Sequence, residues 1–278
     1  MTTFLDFAKS ESRFLWDSKH HRTRSTAKAA RFAEFSDHKT RHIGDYQTAD
    51  VNGFISYLLD EGLTENTANH YTAMCKKVFT LAEEELPTVT KVPKLRWLPI
   101  EKNKRPLYFT GEQLAAMEAY FTDDHPQWWL RHFIIIGHQT GMRLGEILKI
   151  CPKIIGRVAN GGYNCTLEKT KNGDTRCVPF NTRTMASVEA LGFVTGAHWD
   201  HRPFYNAWGQ MRDAVLGGND LYKFHTLRHT TATRLANDFD RSTAVIALLL
   251  GHRCLETTKK YIHAKPEALR SLVDQLED

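Results

Sequence analysis

The sequence predicts a mainly α-helical protein with one small antiparallel β-sheet, divided into two domains. Three observations support this fold class. Apolar residues recur at three-to-four spacing through most of the chain, which is the period of an amphipathic helix. Four prolines and little periodicity mark the segment 87–106, which is typical of a linker. Between Ile154 and Phe180 the composition changes to that of strands around a turn.

The composition is that of a globular protein, since 41% of its 278 residues are hydrophobic. The longest apolar runs are far shorter than the roughly 20 residues of a spanning helix, and the N-terminus lacks the apolar core of a signal peptide. We therefore expect a cytoplasmic protein with no membrane partner. Five scattered cysteines without a C-x-x-C pair indicate neither a disulfide framework nor a zinc ribbon. The net charge of +5 suits a polyanionic partner without requiring one.

Residues 1–86 are predicted to form an all-helical domain. Apolar spacing indicates helices in Thr2–Asp17 and Val51–Asp60, the second capped by Asp50 and ended by Gly62. Between them lies a segment dense in His, Lys and Arg, which either follows a phosphate backbone or forms a solvated helix face.

A third helix is predicted to begin after Thr64. The face predicted to be buried carries mostly apolar side chains at three-to-four spacing: Tyr71, Met74, Cys75, Val78 and Ala82. Short polar and cationic side chains occupy the rest of its circumference, as on a helix that lies on DNA and equally on any exposed helix. The candidate DNA contacts on this helix are Asn69, Lys76 and Lys77.

The segment 87–106 is predicted to link this domain to a second one at 107–278. It carries several cations, among them Lys104 and Arg105. If the two domains hold a duplex between them, these charges would cross its phosphate backbone, so both residues are further candidate DNA contacts.

The second domain opens with Thr110 and Gln113, which are spaced as a helix capping box. A helix with a buried face is predicted at Trp128–Gln139. Directly after it, Arg143 and Glu146 stand at i, i+3. They form either a surface ion pair or an anion clamp in which Glu146 orients the guanidinium.

Strand composition surrounds a hairpin-turn signal at Asn172-Gly173, because both residues tolerate positive φ. We predict strands at Asn164–Thr170 and Thr175–Phe180, with an earlier strand at 154–158 completing a three-stranded sheet. Lys171 lies beside the turn, either as a solvated lysine or on a finger that enters a groove.

The segment His225-Thr226-Leu227-Arg228-His229 places His225 and Arg228 on one helix face. Its two histidines, at i and i+4, are also half of a metal-ligand pattern. A zinc protease needs Glu directly after the first histidine, where this chain has Thr226. His252 and His263 leave the metal site open as an alternative.

Near the C-terminus, Gly251 separates an apolar helix from a shorter one that we expect to carry Tyr261. Tyrosine can act as a covalent nucleophile, but with a pKa near 10 it needs cationic neighbours to stabilise the developing charge. Beyond it, residues 264–278 have the apolar spacing of a tail helix.

Taken together, these segments resemble the tyrosine recombinase, or phage integrase, family. The resemblance rests on five motifs in one order: T-G-M-R-L-G-E (140–146), T-K-N-G (170–173), H-T-L-R-H-T (225–230), L-G-H (250–252) and the tyrosine nine residues after that histidine. It covers the second domain closely, and the first more loosely as a helical core-binding (SAM-like) domain around G-L-T-E-N-T (62–67).

The resemblance implies a two-domain DNA clamp whose α+β catalytic domain cuts and rejoins strands without metal or cofactor. Tyr261 would attack the scissile phosphate and form a 3′-phosphotyrosine bond, while Arg143 and Arg228 clamp its oxygens. Lys171 would be the general acid, although Lys169 lies on the same strand face. The resemblance further implies His225 as general base or its helper, and His252 as a hydrogen-bond donor to the phosphate.

The implied partners are double-stranded DNA at core recombination sites, a homotetramer held by the tail 264–278, and DNA-bending accessory proteins. We expect an integrase that inserts or excises a phage genome or other mobile element through a Holliday junction, in a bacterial cytoplasm or nucleoid. The alternatives are a Xer-like resolvase or a type IB topoisomerase-like strand transferase and, more remotely, a non-catalytic DNA-binding regulator or the histidine metalloenzyme.

Overall fold

The computed structural model describes residues 2–36, 40–100, 107–159, 161–168, 175–192, 201–238, 241–252, 254–259 and 261. The chain divides into two compact units, 1–103 and 104–278. The predicted fold class is confirmed, because the described residues are mainly helical and include a three-stranded antiparallel sheet. None of the described helices is long and apolar enough to cross a membrane.

The first unit is helical, as expected, and its core is rich in aromatic rings. The side chains of Phe4, Phe32 and Phe79 pack with ring centroids 4.8 to 6.4 Å apart. The segment predicted as one helix at Thr2–Asp17 is two short ones. The helices are α1 (Phe4–Ser10), α2 (Ser12–Leu15), α3 (Lys19–Phe35), α4 (Thr48–Asp60) and α5 (Glu65–Glu85).

The ends of α4 and α5 follow from their capping residues. Helix α4 begins two residues before Asp50, whose carboxylate accepts a hydrogen bond from the backbone N–H of Gln47 in a capping box. Helix α5 begins directly after Thr64, as predicted, and Thr64 Oγ1 accepts from the backbone N–H of Thr67.

The first part of the predicted linker packs on the first unit. Residues 87–100 contain no helix or strand, but Val89 is buried in the core and Leu98 packs against it. The amide of Asn69 binds both backbone groups of Leu98, with Nδ2 donating to the carbonyl and Oδ1 accepting from the N–H, each at 2.9 Å. These bonds anchor the segment on α5.

The second unit combines helices with the small sheet. Its strands β1 (Ile155–Arg157), β2 (Tyr163–Leu167) and β3 (Arg176–Phe180) run antiparallel in the order β1-β2-β3. Its helices are α6 (Gly111–Tyr120), α7 (Trp129–Thr140), α8 (Leu144–Ile147), α9 (Thr182–Ala190), α10 (His201–Val215), α11 (His225–Asn237), α12 (Thr243–Leu250) and α13 (Glu256–Lys259). The predicted turn at 172–173 lies outside the described residues.

Helix α7 is buried and packs closely against α11. A Cβ on Gly137 would lie 2.9 Å from Leu227 Cδ1, so a larger residue there would have to displace this leucine. Thr231 Oγ1 donates to the carbonyl of His138 across the same contact. Helix α7 ends at Gly141, which has a φ of 65°. This contact fixes the segment that carries Arg143 against the helix that carries Arg228.

Candidate active site

Arg143 and Glu146 form the predicted ion pair at the start of α8. Glu146 Oε2 accepts from the backbone N–H of Arg143, and Oε1 accepts from its Nη1, each at 2.8 Å. Glu146 is buried, whereas the Arg143 side chain is 28% exposed. The carboxylate therefore fixes both the backbone and the guanidinium of Arg143, which leaves that guanidinium oriented at the surface.

Arg176, at the start of β3, joins the same carboxylate and was missed by the sequence analysis. Its Nη2 donates to Glu146 Oε2 at 2.7 Å. The residue is 8% exposed, and its Nε and Nη1 are buried without a hydrogen-bond partner among the described residues. The available signal was its place in the strand, because Arg176 occupies the inward register shared by Val178 and Phe180.

Arg228 is almost fully buried on α11 and ties two helix ends together. Its Nη1 donates to the carbonyl of Gly141 at 2.8 Å and its Nη2 to the carbonyl of Leu250 at 2.6 Å. These carbonyls end α7 and α12, where backbone acceptors lack partners within the helix. Burial, and then the charges of Arg143 and Arg176, lower the pKa of Arg228 to about 9, so it remains charged at neutral pH.

Glu146 pairs with Arg143 and Arg176, and its carboxylate also acts on the charge of Arg228. One carboxylate thus faces three arginines. Burial and the neighbouring Arg143 also lower the pKa of Arg176. The unbalanced positive charge makes this cluster suited to an anion, and guanidinium groups match the geometry of phosphate oxygens.

His225 lies beside Arg143, one member of this cluster. It is exposed and lines a cavity of about 330 Å³ together with Arg143, Tyr205 and Lys223. Lys223 is a second cavity residue that no sequence motif indicated. Two residues before the H-x-x-R motif, it adds a cation beside Arg143 that a phosphate backbone could contact.

Tyr261 is buried, with 1% of its surface exposed. The prediction that the short helix carries Tyr261 is wrong, because α13 ends at Lys259 and Tyr261 follows it. The tyrosine packs with Ala232, Ile246 and Leu250. Its hydroxyl hydrogen-bonds to Nδ1 of His229 at 2.5 Å. Burial raises the pKa of Tyr261 to about 12, and the charge of Arg228 acts in the opposite direction.

His252 completes the group of residues that the sequence selected. Its Nδ1 hydrogen-bonds to the buried Oγ1 of Thr258 at 2.7 Å, and its ring lies 6.5 Å from that of Tyr261, centroid to centroid. Gly251, which ends α12 with a φ of 67°, lets Arg176 pass closely, because a Cβ there would lie 3.0 Å from Arg176 Cδ.

The structure thus brings five of the six predicted catalytic residues into one region: Arg143, His225, Arg228, His252 and Tyr261. The sixth, Lys171, lies outside the described residues, as do Lys169, Lys104, Arg105 and the tail 264–278. Within the part of the chain that is described, no group of three or more His, Cys, Asp or Glu side chains could hold a metal ion, so the metal alternative gains no support there.

The candidate DNA contacts on α5 differ from one another. Lys76 and Lys77 are exposed, and Lys77 Nζ also donates to the carbonyl of Leu15. Asn69 is 6% exposed and its amide is taken up by the backbone of Leu98. Asn69 therefore holds the segment 87–100 and presents little surface to DNA, because Leu98, distant in sequence, covers that side of the helix.

Residues 108–268 match the phage integrase family, so the chain belongs to that family, the tyrosine recombinases. These are site-specific enzymes that break and rejoin DNA strands, which confirms the predicted class of enzyme. The chain is similar to tyrosine recombinase XerC of Staphylococcus carnosus (strain TM300), with 22% identity over 97% of this chain and 94% of that protein.

Two further proteins are similar to the chain. A shufflon-specific DNA recombinase of Escherichia coli is 27% identical over 84% of this chain, which spans only 62% of that protein's length. Among solved structures, the Tn1549 transposon integrase in complex with circular intermediate DNA has a TM-score of 0.76 and 18% identity, with 98% and 99% of the two chains covered. At that identity the likeness concerns the fold alone.

Proposed function

We propose that this chain cleaves one DNA strand at a time through Tyr261, forming a 3′-phosphotyrosine bond and releasing a 5′-hydroxyl. The observation that carries the proposal is the position of this buried tyrosine beside a cluster of arginines with more positive than negative charge. Such a cluster stabilises the charge that develops on a phosphate under attack, which a phenol alone cannot do.

The described contacts support a role for Arg143, Arg228, His252 and His225, whereas the role of Lys171 rests on the family resemblance alone. Arg143, held by Glu146, and Arg228 bind the non-bridging oxygens of the scissile phosphate. His252 donates to the same phosphate through Nε2, because its Nδ1 is engaged by Thr258. His225 assists proton transfer from the cavity that it shares with Arg143, and Lys171 protonates the leaving 5′-oxygen.

Cleavage by this site requires a rearrangement on DNA binding. In the structure two N–H groups of Arg228 donate to the carbonyls of Gly141 and Leu250. The Tyr261 side chain is buried. A phosphate that enters the cluster offers charged acceptors, which form stronger hydrogen bonds than the carbonyls do. DNA therefore recruits Arg228 and loosens the contact through Leu250 that helps to bury the tyrosine.

For the biological reaction, we propose integration or excision of a phage genome or another mobile element. The phosphotyrosine bond retains the phosphodiester energy, so a 5′-hydroxyl of a second duplex can reverse the step and produce a Holliday junction. Four copies on two DNA sites, joined through the tail 264–278 and aided by DNA-bending proteins, would act in the bacterial cytoplasm. The similarity to a shufflon-specific DNA recombinase supports this proposal.

A Xer-like resolvase is the second candidate, because the similarity to XerC covers 97% of this chain and 94% of that protein. The two candidates differ in the DNA that they join. Purified protein is incubated with a circle carrying one site and a linear duplex carrying another, and separately with a circle carrying two direct sites. Efficient joining of the separate molecules supports an integrase, whereas reaction of the two-site circle alone supports a resolvase.

A nicked suicide duplex tests the proposed chemistry. The binding sequence is first recovered from random DNA by selection, and the duplex is then nicked beside the cleaved phosphate so that the short product diffuses away. Wild type should form a covalent protein–DNA adduct with or without EDTA, and Tyr261→Phe should form none. An adduct with Tyr261→Phe would refute the nucleophile. Adduct formation without exchange between duplexes would favour the topoisomerase-like alternative.

A further inference from the structure

We propose that His229 is a catalytic residue of this site, the base that accepts the proton of the Tyr261 hydroxyl during strand cleavage. The proposal rests on the function proposed above, in which Tyr261 is the nucleophile. It differs in giving the proton of the tyrosine to His229 and leaving His225 with the phosphate.

The geometry that carries the inference is the contact between His229 and the reacting atom itself. Nδ1 of His229 lies 2.5 Å from Oη of Tyr261, and the two rings are 5.4 Å apart, centroid to centroid. With its own proton on Nε2, a neutral His229 accepts the hydroxyl hydrogen at Nδ1. A base within hydrogen-bond distance of the proton that it removes meets the first requirement for proton transfer.

Helix α11 holds the tyrosine at two points. His229 binds the hydroxyl, and Nδ2 of Asn237 donates to the backbone carbonyl of Tyr261 at 3.1 Å. His229 and Asn237 are eight residues apart on this helix, and both contact Tyr261. The contact with Oη is thus set by the same rigid element that places Arg228 in the arginine cluster.

The other two histidines are placed for different tasks. His225 faces the cavity beside Arg143, and its ring meets that of His229 edge to face at 4.8 Å. His252 engages Thr258 through Nδ1, and its ring stacks 6.5 Å from that of Tyr261. These positions favour His225 and His252 as partners of the phosphate, and His229 as partner of the nucleophile.

Tyr261 needs such a base. Its raised pKa, about 12, keeps the phenol protonated at neutral pH. In the cleavage step the O–H bond of Tyr261 breaks and an N–H bond forms at Nδ1 of His229. Oη forms a bond to phosphorus, the bond from phosphorus to the 5′-oxygen breaks, and that oxygen takes a proton from the acid, Lys171 in the proposed function. Joining reverses both transfers, so no further reactant is required.

The test compares His229→Asn with His225→Asn in the full chain. Asparagine places an amide oxygen near the position of Nδ1, so it can hold the Tyr261 hydroxyl but cannot accept its proton. On the nicked duplex, His229→Asn should form the covalent adduct about 100-fold or more slowly than wild type, the usual range for a lost general base. Gel-shift affinity and melting temperature should be close to wild type.

A second measurement separates proton transfer from structure. Replacing Tyr261 by 3,5-difluorotyrosine makes the phenol more acidic, so that it ionises with less help from a base. We expect this replacement to restore most of the adduct rate of His229→Asn, even if that variant is less stable, and to give no comparable recovery in His225→Asn.

Three results would overturn the assignment. If His229→Asn cleaves as fast as wild type, His229 only positions the hydroxyl. If the variant is slow and the fluorinated tyrosine does not restore it, the defect is structural. If His225→Asn is the variant that recovers, His225 is the base. Failure of the proposed function is recognised separately, because an adduct would then form with Tyr261→Phe.

Discussion

Neutralising Glu146 should destabilise the second unit, because this carboxylate is shared by two arginines. In Glu146→Gln the side chain keeps its size and one oxygen, but it loses the charge that balances Arg143 and the buried Arg176. Arg176 has little water to replace that charge, since it is 8% exposed. The third arginine, Arg228, increases the repulsion.

The magnitude follows from the burial of the pair. Removing one partner of a buried ion pair costs roughly 3–5 kcal/mol, because the remaining charge is left uncompensated. In a unit of this size each kcal/mol lowers the melting temperature by about 2–4 °C, so the expected fall is roughly 6–20 °C. The covalent adduct on the nicked duplex should also form more slowly, because Arg143 is no longer oriented.

The chain offers a matched control in Glu118. It too is buried and shared, with Oε1 2.9 Å from His138 Nε2 and Oε2 bound to Arg183. Arg183 is half exposed, so water can replace the lost charge, and Glu118→Gln should lower the melting temperature less and leave cleavage unchanged.

Thermal unfolding followed by circular dichroism, with and without sulfate, checks this prediction. Sulfate should raise the melting temperature of Glu146→Gln more than that of Glu118→Gln, because the first variant leaves the arginine cluster without its carboxylate, whereas the second retains it. Equal losses and equal sulfate effects in the two variants would refute the reasoning.

Three further predictions concern other parts of the molecule. Burial raises the pKa of Tyr261 to about 12, so its protonated form contributes stability that is complete below pH 10 and is lost as the pH rises through 12; Tyr261→Phe should flatten this loss in alkaline unfolding curves. Gly251→Ala should lower the melting temperature more than Gly192→Ala does, and of these two variants only Gly251→Ala should slow adduct formation. Both glycines have a positive φ, but of the two only Gly251 lies against an arginine side chain, that of Arg176. Asn69→Ala should lower the free energy of unfolding by about 1–3 kcal/mol without changing the salt dependence of DNA affinity, because its amide binds the Leu98 backbone. Lys76→Ala should reduce the slope of log affinity against log salt by about one in gel-shift titrations, because Lys76 is exposed. The opposite pattern would make Asn69 the DNA contact.

The local elements of the fold were predictable because their signals lie within a few residues. The apolar stripe of α5 and the capping pair Thr110 and Gln113 are both found where the sequence indicated them. Strands β2 and β3 are likewise found, although each is shorter than predicted. Helix periodicity and capping depend on neighbouring side chains, so no tertiary information is needed.

Burial against a distant segment was not predictable in the same way. Asn69 has the residue type of an exposed helix face, yet Leu98, 29 residues later, covers it. In the sequence, Arg176 is one polar residue at the end of a predicted strand. Its role as a buried partner of Glu146 and a close neighbour of Gly251 is visible only in the folded chain. Neither partner is implied by the spacing within α5 or β3, because long-range packing decides it.

By itself, the sequence determined the fold class, the family and the set of side chains from which a phosphate-cleaving site can be built. These depend on residue types and on their order, which the chain carries directly. The tertiary structure decided which histidine contacts the Tyr261 hydroxyl, and that residue is His229, one turn beyond His225 on α11. Both histidines lie in the same motif, and only the packing of Tyr261 against α11 distinguishes them.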